Sequence, residues 1–246
     1  MKFTFEAYNA LINKLRKNNY VIANYHNYHE TEKCAILRHD VDYSMEKALK
    51  MAEYENKIGV KSTYFVLLTS DFYNLLSKKN QDIIHKIVKC GHDIGLHFDE
   101  MRYDEQEKST VGVKLLIEKE AQLLSEILGG GGDNIKSVSM HRPSKETLDA
   151  DYYFDNGLVN SYGKEFFHGF KYVSDSRMRW RENVEEIIDS NQYQRIHILT
   201  HAFWYNNEEK NMKNIIEEFI NDGKQNRYNI LNDNITDLNS ILMIGK

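Results

Sequence analysis

Proline is almost absent from this chain: Pro143 is the single one in 246 residues, where ordinary usage of about 5% would supply roughly twelve. That excludes proline-rich linkers and polyproline recognition segments. Cysteine is nearly as scarce. Cys34 and Cys90 are the only two and no Cys-x-x-Cys spacing occurs, which excludes a disulfide framework and a cysteine-built zinc site; both thiols are expected to be reduced and buried. No apolar run approaches the ~20 residues of a membrane span. The net charge is −5, so no basic face for nucleic acid is expected. Residues 1–20 lack the unbroken apolar stretch of a secretion signal, because Glu6, Asn9, Asn13 and Lys14 interrupt Phe5, Leu11, Ile12 and Leu15. The expectation is a cytoplasmic protein whose amino terminus is an amphipathic helix. No internal repeat is present, and no feature of the sequence indicates the oligomeric state.

What remains is globular: 41% hydrophobic and 28% charged residues. The length suits one large domain, and an α/β barrel of roughly 250 residues is an ordinary single domain. The chain reads as one domain over 1–246, with 1–33 as a helical lead-in and 34–246 as the body. Alternating strand and helix patterns run through that body. Strands are expected at 34–39, 61–68, 93–98, 135–140, 158–161, 171–174 and 194–199. Helices are expected at 45–58 (capped by Ser44 and ended by Gly59), 80–90, 111–128, 184–190 and 211–221. The tail from Tyr228 is expected to add a last strand and helix. Gly129–Gly132 reads as a flexible turn, since Asp133 and Asn134 follow it where a phosphate loop needs lysine. Repeated alternation implies a parallel sheet.

The most informative stretch is Ala35-Ile36-Leu37-Arg38-His39-Asp40-Val41-Asp42. Strand side chains alternate with period two, so Asp40 and Asp42 can point the same way. Converging carboxylates are costly unless a cation or a shared proton relieves them. The pair is therefore a metal site, or a base beside one, or alternatively a solvated pair opening the next helix. Further polar residues also follow strands: His97, His141 with Arg142, Asp175 and His201. In parallel α/β folds the carboxyl ends of strands share one face, where active sites form. His92 and His197, at the start and middle of their strands, read as structural imidazoles. Asp99 and Glu100 read as loop acids, with contact to a metal or substrate as the lesser alternative. Pro143 can bend the chain so that His141 and Arg142 both reach the site. One Asp with two His suits an ion such as Zn²⁺ with open positions. A second Asp as base and a separate His as acid would complete metal-assisted hydrolysis of an acyl bond.

These residues resemble the polysaccharide deacetylase family, the NodB-type carbohydrate esterases, across roughly Ile36 to Trp204. Arg38-His39-Asp40-Val41-Asp42 is similar to the family's Thr-Phe-Asp-Asp-Gly, with Val41 parting the acids. Val60-Lys61-Ser62-Thr63-Tyr64-Phe65-Val66 resembles its Ile-Lys-Ala-Thr-Phe-Phe-Val strand, and Gly91-His92-Asp93-Ile94-Gly95-Leu96-His97 its Gly-His-Glu-Ile-Gly-Asn-His segment. Arg142-Pro143 resembles Arg-x-Pro, Ser174 to Trp180 the segment flanking the catalytic His, and Ile198-Leu199-Thr200-His201 the Leu-x-Leu-His motif.

The resemblance implies a distorted (β/α) barrel, usually of seven parallel strands. It implies Asp40 as general base, Asp42 and His97 as ligands of one divalent metal ion (Zn²⁺ foremost), His201 as general acid, Arg142 orienting Asp40, and Asp175 tuning the site. The family's second histidine would fall at Met101; His141 is inferred to replace it, with Glu100 or Asp99 as fallback. Trp180, Trp204 and Glu100 are the expected substrate contacts. The implied activity is removal of an acetyl or similar acyl group from an N- or O-acetylated sugar or glycan precursor in surface-polysaccharide biosynthesis. Two alternatives stand beside it: an Asp-x-Asp glycosyltransferase, which leaves the histidines idle, and a non-catalytic sugar-binding homologue.

Overall fold

A computed structural model describes residues 1–104, 107, 109–129 and 135–243. Residues 130–132 of the glycine turn lie outside these; Gly129 takes the left-handed φ of 105° that a helix end favours. The chain forms two compact units, Met1–Asn207 and Glu208–Lys246. The barrel expected over 34–246 has all its strands inside the first unit.

Among the described residues eight parallel strands make one sheet: β1 (Val21–Ala23), β2 (Cys34–Val41), β3 (Thr63–Val66), β4 (Asp93–Phe98), β5 (Ser137–Met140), β6 (Val159–Asn160), β7 (Lys171–Ser174) and β8 (Arg195–Thr200). Seven of them follow the order β6-β5-β4-β3-β2-β8-β7 and curl into a half-barrel, while the short β1 pairs the amino end of β2. The distorted barrel of seven parallel strands is thus present, with β1 as an addition. Helices in the first unit are α1 (Phe5–Lys17), α2 (Met45–Lys57), α3 (Lys78–Lys89), α4 (Thr110–Ile127), α5 (Lys145–Asp149), α6 (Lys164–His168) and α7 (Val184–Asp189). The second unit holds α8 (Met212–Asn234) and α9 (Leu238–Ile241). The strand expected in the tail is replaced by helix: α8 runs on through Gly223, and a single glycine costs a helix only about 1 kcal/mol. Among the described residues no helix is long and apolar enough to cross a membrane.

Local sequence explains the elements that position the site. Thr4 caps α1 by accepting from the Ala7 amide, and Tyr8, Leu11, Ile12 and Leu15 bury one helical stripe. Ser44, two residues after Asp42, caps α2. β2 is buried along its whole length, so its alternation sorts residues between two interiors. Cys34 and Ile36 join Tyr25, Phe65 and Phe166 in an apolar plug inside the curl. Arg38, Asp40 and Asp42 continue that face toward the carboxyl end. His39 takes the other face, against Tyr8 of α1 and Glu55 of α2. Cys34 and Cys90 are free thiols, the first buried and the second half-buried.

Candidate active site

The carboxyl ends of β2, β4, β5 and β8 bring five side chains together above the apolar plug. His97 Nε2 lies 3.3 Å from Asp42 Oδ1, His141 Nδ1 lies 3.5 Å from the same oxygen, and the two ring nitrogens are 3.1 Å apart. Asp42, His97 and His141 can each turn one ligand atom inward, all within 4.8 Å of one another. Asp42 Oδ1 is buried and has no hydrogen-bond partner. A buried acceptor left unsatisfied is expensive, and a cation among one oxygen and two imidazole nitrogens would satisfy it. The donor set therefore fits a divalent ion of the zinc type. Burial pushes the Asp42 carboxyl up, but the adjacent His141 and His97 rings and the charge of His201 overcome it and hold Asp42 well below its usual range.

Asp40 stands one pleat deeper and is 4% exposed. Its Oδ2 accepts from Arg38 Nη2 at 3.0 Å and lies 3.8 Å from His97 Nε2. Ser139 Oγ reaches both of its oxygens at 3.5 Å. Arg38 is fully buried, and it also donates from Nη1 to Ser161 Oγ at 2.8 Å and lies over the Tyr162 ring.

His201 closes the site from β8. Its Nδ1 is 2.6 Å from Asp175 Oδ1, and its backbone amide donates to the same carboxylate at 3.0 Å. That leaves Nε2 facing inward, 3.8 Å from Asp42 Oδ2. Burial lowers the His201 pKa, but the Asp175 hydrogen bond and charge, with Asp42 and Asp40 behind them, push it up to about 9. A buried Asp holding one ring nitrogen sets the tautomer and presents the other as a proton donor.

Four expected roles need correction. Arg142 does not reach Asp40. It takes a left-handed φ of 50° before Pro143, its side chain is 71% exposed, and it pairs with Asp99 at 3.3 Å. The turn that seats His141 inward leaves Arg142 on the rim of the cleft at Asp42, and Arg38 occupies the place beside Asp40. Glu100 is no substrate contact: it is buried and accepts from the Ser144 amide and the Thr147 hydroxyl, tying the β4 loop to the start of α5. Trp204 is 6% exposed and packs against Phe203 and Tyr43, so its ring is not open to a sugar. Trp180 is half-buried in the loop after β7, with its indole nitrogen buried and unpartnered, and it does not line the cleft at Asp42. His92 bonds the Ala52 carbonyl and His197 the Tyr25 hydroxyl, both structural contacts.

Three further residues lie at this site. Arg38 was readable, since it precedes Asp40 by two residues and so shares its face. Ser139 carried no signal beyond lying on a strand. Phe72, 57% exposed, lines the cleft beside Asp42 and His141 together with Tyr43; only the fold brings the loop after β3 there.

No family model and no curated protein matches the chain. Solved structures do share its fold. A Streptococcus mutans CE4 esterase is 14% identical, with a TM-score of 0.50 over 82% of this chain and 84% of that one. The catalytic domain of a peptidoglycan N-acetylglucosamine deacetylase from Eubacterium rectale is 18% identical, with a TM-score of 0.47 over 83% and 88%. A CE4 family pseudoenzyme from Bacillus anthracis is 14% identical, with a TM-score of 0.46; the match covers 80% of this chain and 62% of the pseudoenzyme's length. At these identities the likeness is one of fold alone: the chain has a half-barrel architecture like that of the CE4 esterase.

Proposed function

We propose that this protein is a metal-dependent hydrolase that removes an acetyl or similar acyl group from an N- or O-acetylated sugar, a precursor in surface-polysaccharide biosynthesis. The carrying observation is the convergence of Asp42, His97 and His141, with a buried and unpartnered Asp42 oxygen, between one buried acid and one His–Asp pair. Asp42, His97 and His141 would hold one divalent ion, Zn²⁺ being the ion this donor set favours, and that ion would polarise an acyl carbonyl and ready water for attack at neutral pH. Every other task falls to the chain. Asp40, anchored by Arg38, takes the proton of the attacking water. His201, with Asp175 on Nδ1, gives its Nε2 proton to the departing nitrogen or oxygen as the bond to the acyl carbon breaks. Phe72 and Tyr43, on the cleft wall, offer apolar faces to a sugar ring.

The test measures bound metal and acetate release from a panel of N- and O-acetylated sugars, for wild type and Asp42→Ala. The expected result is about one ion in wild type, little in the variant, and acetate release from wild type alone. Equal metal occupancy in both proteins removes Asp42 from the ligand set. Full occupancy in wild type without turnover of any sugar replaces the hydrolase reading with a sugar-binding one.

A further inference from the structure

Left-handed backbone is tolerated by asparagine and aspartate and is unfavourable for other side chains. Among the described residues seven non-glycine residues adopt it. Four are Asn19, Asp151, Asn191 and Asp237; the other three are Arg142, Arg177 and Met178. Arg142 is doubly strained, because it precedes Pro143 and proline drives the residue before it toward extended backbone. Strain of this kind collects where structure holds a side chain at a functional site. Both loops border the cleft. Arg142 directly follows His141 and lines the cleft at Asp42. Arg177 lies two residues beyond Asp175, the partner of His201.

The two guanidiniums converge. Burial and the Asp42 charge raise the Tyr43 phenol, and the charges of Arg142 and Arg177 act against them. Both cations are therefore within electrostatic reach of one ring on the cleft wall. Both side chains are exposed. Arg177 makes no ion pair with a described residue. Arg142 gives one donor to Asp99, of the five that a guanidinium carries. The residue type is selective too. The chain has 23 lysines and nine arginines, yet 177–181 holds Arg177, Arg179 and Arg181 and no lysine. Arginine is the cation whose planar fork matches phosphate and carboxylate oxygens. The acids of the cleft do not cancel the pair. Asp42 faces the two imidazoles, Asp99 is already taken by Arg142, and Asp71 is exposed, where water and salt screen it. One fork satisfies a carboxylate. Two guanidiniums from separate loops suit a group with three terminal oxygens and a charge of about −2.

We propose that Arg142 and Arg177 form a phosphate subsite on the rim of the cleft, so that the acylated sugar taken there carries a phosphate group. This rests on the reading of the cleft as a sugar site and narrows its substrate class from acetylated sugars in general to phosphorylated ones.

The test titrates the full chain as purified, by calorimetry, with inorganic phosphate, N-acetylglucosamine 1-phosphate, N-acetylglucosamine and glucuronate. Wild type is expected to bind the sugar phosphate about tenfold more tightly than the neutral sugar, since a charge-assisted hydrogen bond is worth about that factor. Arg142→Gln and Arg177→Gln are each expected to weaken phosphate binding several-fold and to leave the neutral sugar unmoved, a split that a merely structural role would not give. The double variant is expected to lose the preference, and Arg177→Lys, which keeps the charge without the fork, to fall between. Asp42→Ala is expected to keep the preference. A preference lost in Asp42→Ala and kept in both arginine variants puts the phosphate at the metal ligands and overturns the proposal. So does equal affinity for the two sugars, so does a wild type that binds neither phosphate across the millimolar range, and so does glucuronate bound as tightly as the sugar phosphate. The reaction is judged separately: a phosphate preference without acetate release keeps the subsite and removes the hydrolase reading, and acetate release without the preference does the reverse.

Discussion

Arg38 and Asp40 form an ion pair inside the half-barrel, and its removal has a calculable cost. Arg38 is 0% exposed and Asp40 4%, with 3.0 Å between Nη2 and Oδ2. At an effective dielectric constant of about 20, charges that close attract by roughly 5 kcal/mol. Most of that offsets the desolvation of both groups, so the pair as a whole adds little net stability. Breaking it is another matter. Arg38→Met leaves Asp40 buried without its counter-charge, at a cost of about 3–5 kcal/mol. Asp40→Asn strands a buried guanidinium whose Nε already lacks a partner, and a loss of similar order is expected. The double variant Arg38→Met/Asp40→Asn removes both charges and should lose much less than the sum, with a coupling of about 2 kcal/mol or more. Urea unfolding of the four proteins at pH 7 measures this. Additivity within about 0.5 kcal/mol would falsify the claim that Arg38 is what holds Asp40 in place. Arg38→Lys should fall between, because one ammonium cannot span Ser161 and Asp40 as the guanidinium fork does.

Two further outcomes follow from buried titrating groups. His201 has its pKa raised from 6.5 to about 9, so its contribution of about 3 kcal/mol is complete below pH ~6.5 and is lost as pH rises through ~9; urea stability of wild type should fall over that window, and Asp175→Asn should flatten the fall. An unchanged slope in the variant would exclude Asp175 as the cause. Glu55 is fully buried and accepts from Tyr8, Ser62 and Tyr64, with His39 at 3.0 Å. Burial would raise its pKa, but the His39 charge and hydrogen bond, then His92 and Ser62, bring it down to about 2. Its stabilisation is therefore present above pH ~4.5 and lost as pH falls toward ~2, so Glu55→Gln should cost about 3 kcal/mol at pH 7 and progressively less in acid. A stability gap that stays constant from pH 7 to 3 would sink that account.

Much of this was legible in the residues themselves. The period-two spacing of Cys34, Ile36, Arg38, Asp40 and Asp42 is a statement about one strand face, and strand geometry alone turns it into an apolar plug topped by charge. The seven strands of the main sheet were readable from the alternation of β and α patterns, and their parallel sense from the helices between them. His92 and His197 were readable as structural from their positions within strands. The tail is helix where its local pattern suggests a strand, because the helix continues past Gly223, which propensity alone does not show.

The sequence by itself determined which side chains stand at strand ends, because alternation and capping are local. It could not decide which of them meet. His97 lies on β4 and Asp42 just past the end of β2, with β3 between the two strands, and His141 follows β5; their ligand atoms come within 4.8 Å through the curl of the sheet. The left-handed turn at Arg142 left that side chain on the cleft rim and Asp40 to Arg38. The same distinction separates Glu100 and Trp204, whose chemistry suits substrate, from their buried places in the structure. Local geometry is encoded within a few residues, whereas the convergence of distant strand ends depends on curvature and packing summed over the whole sheet.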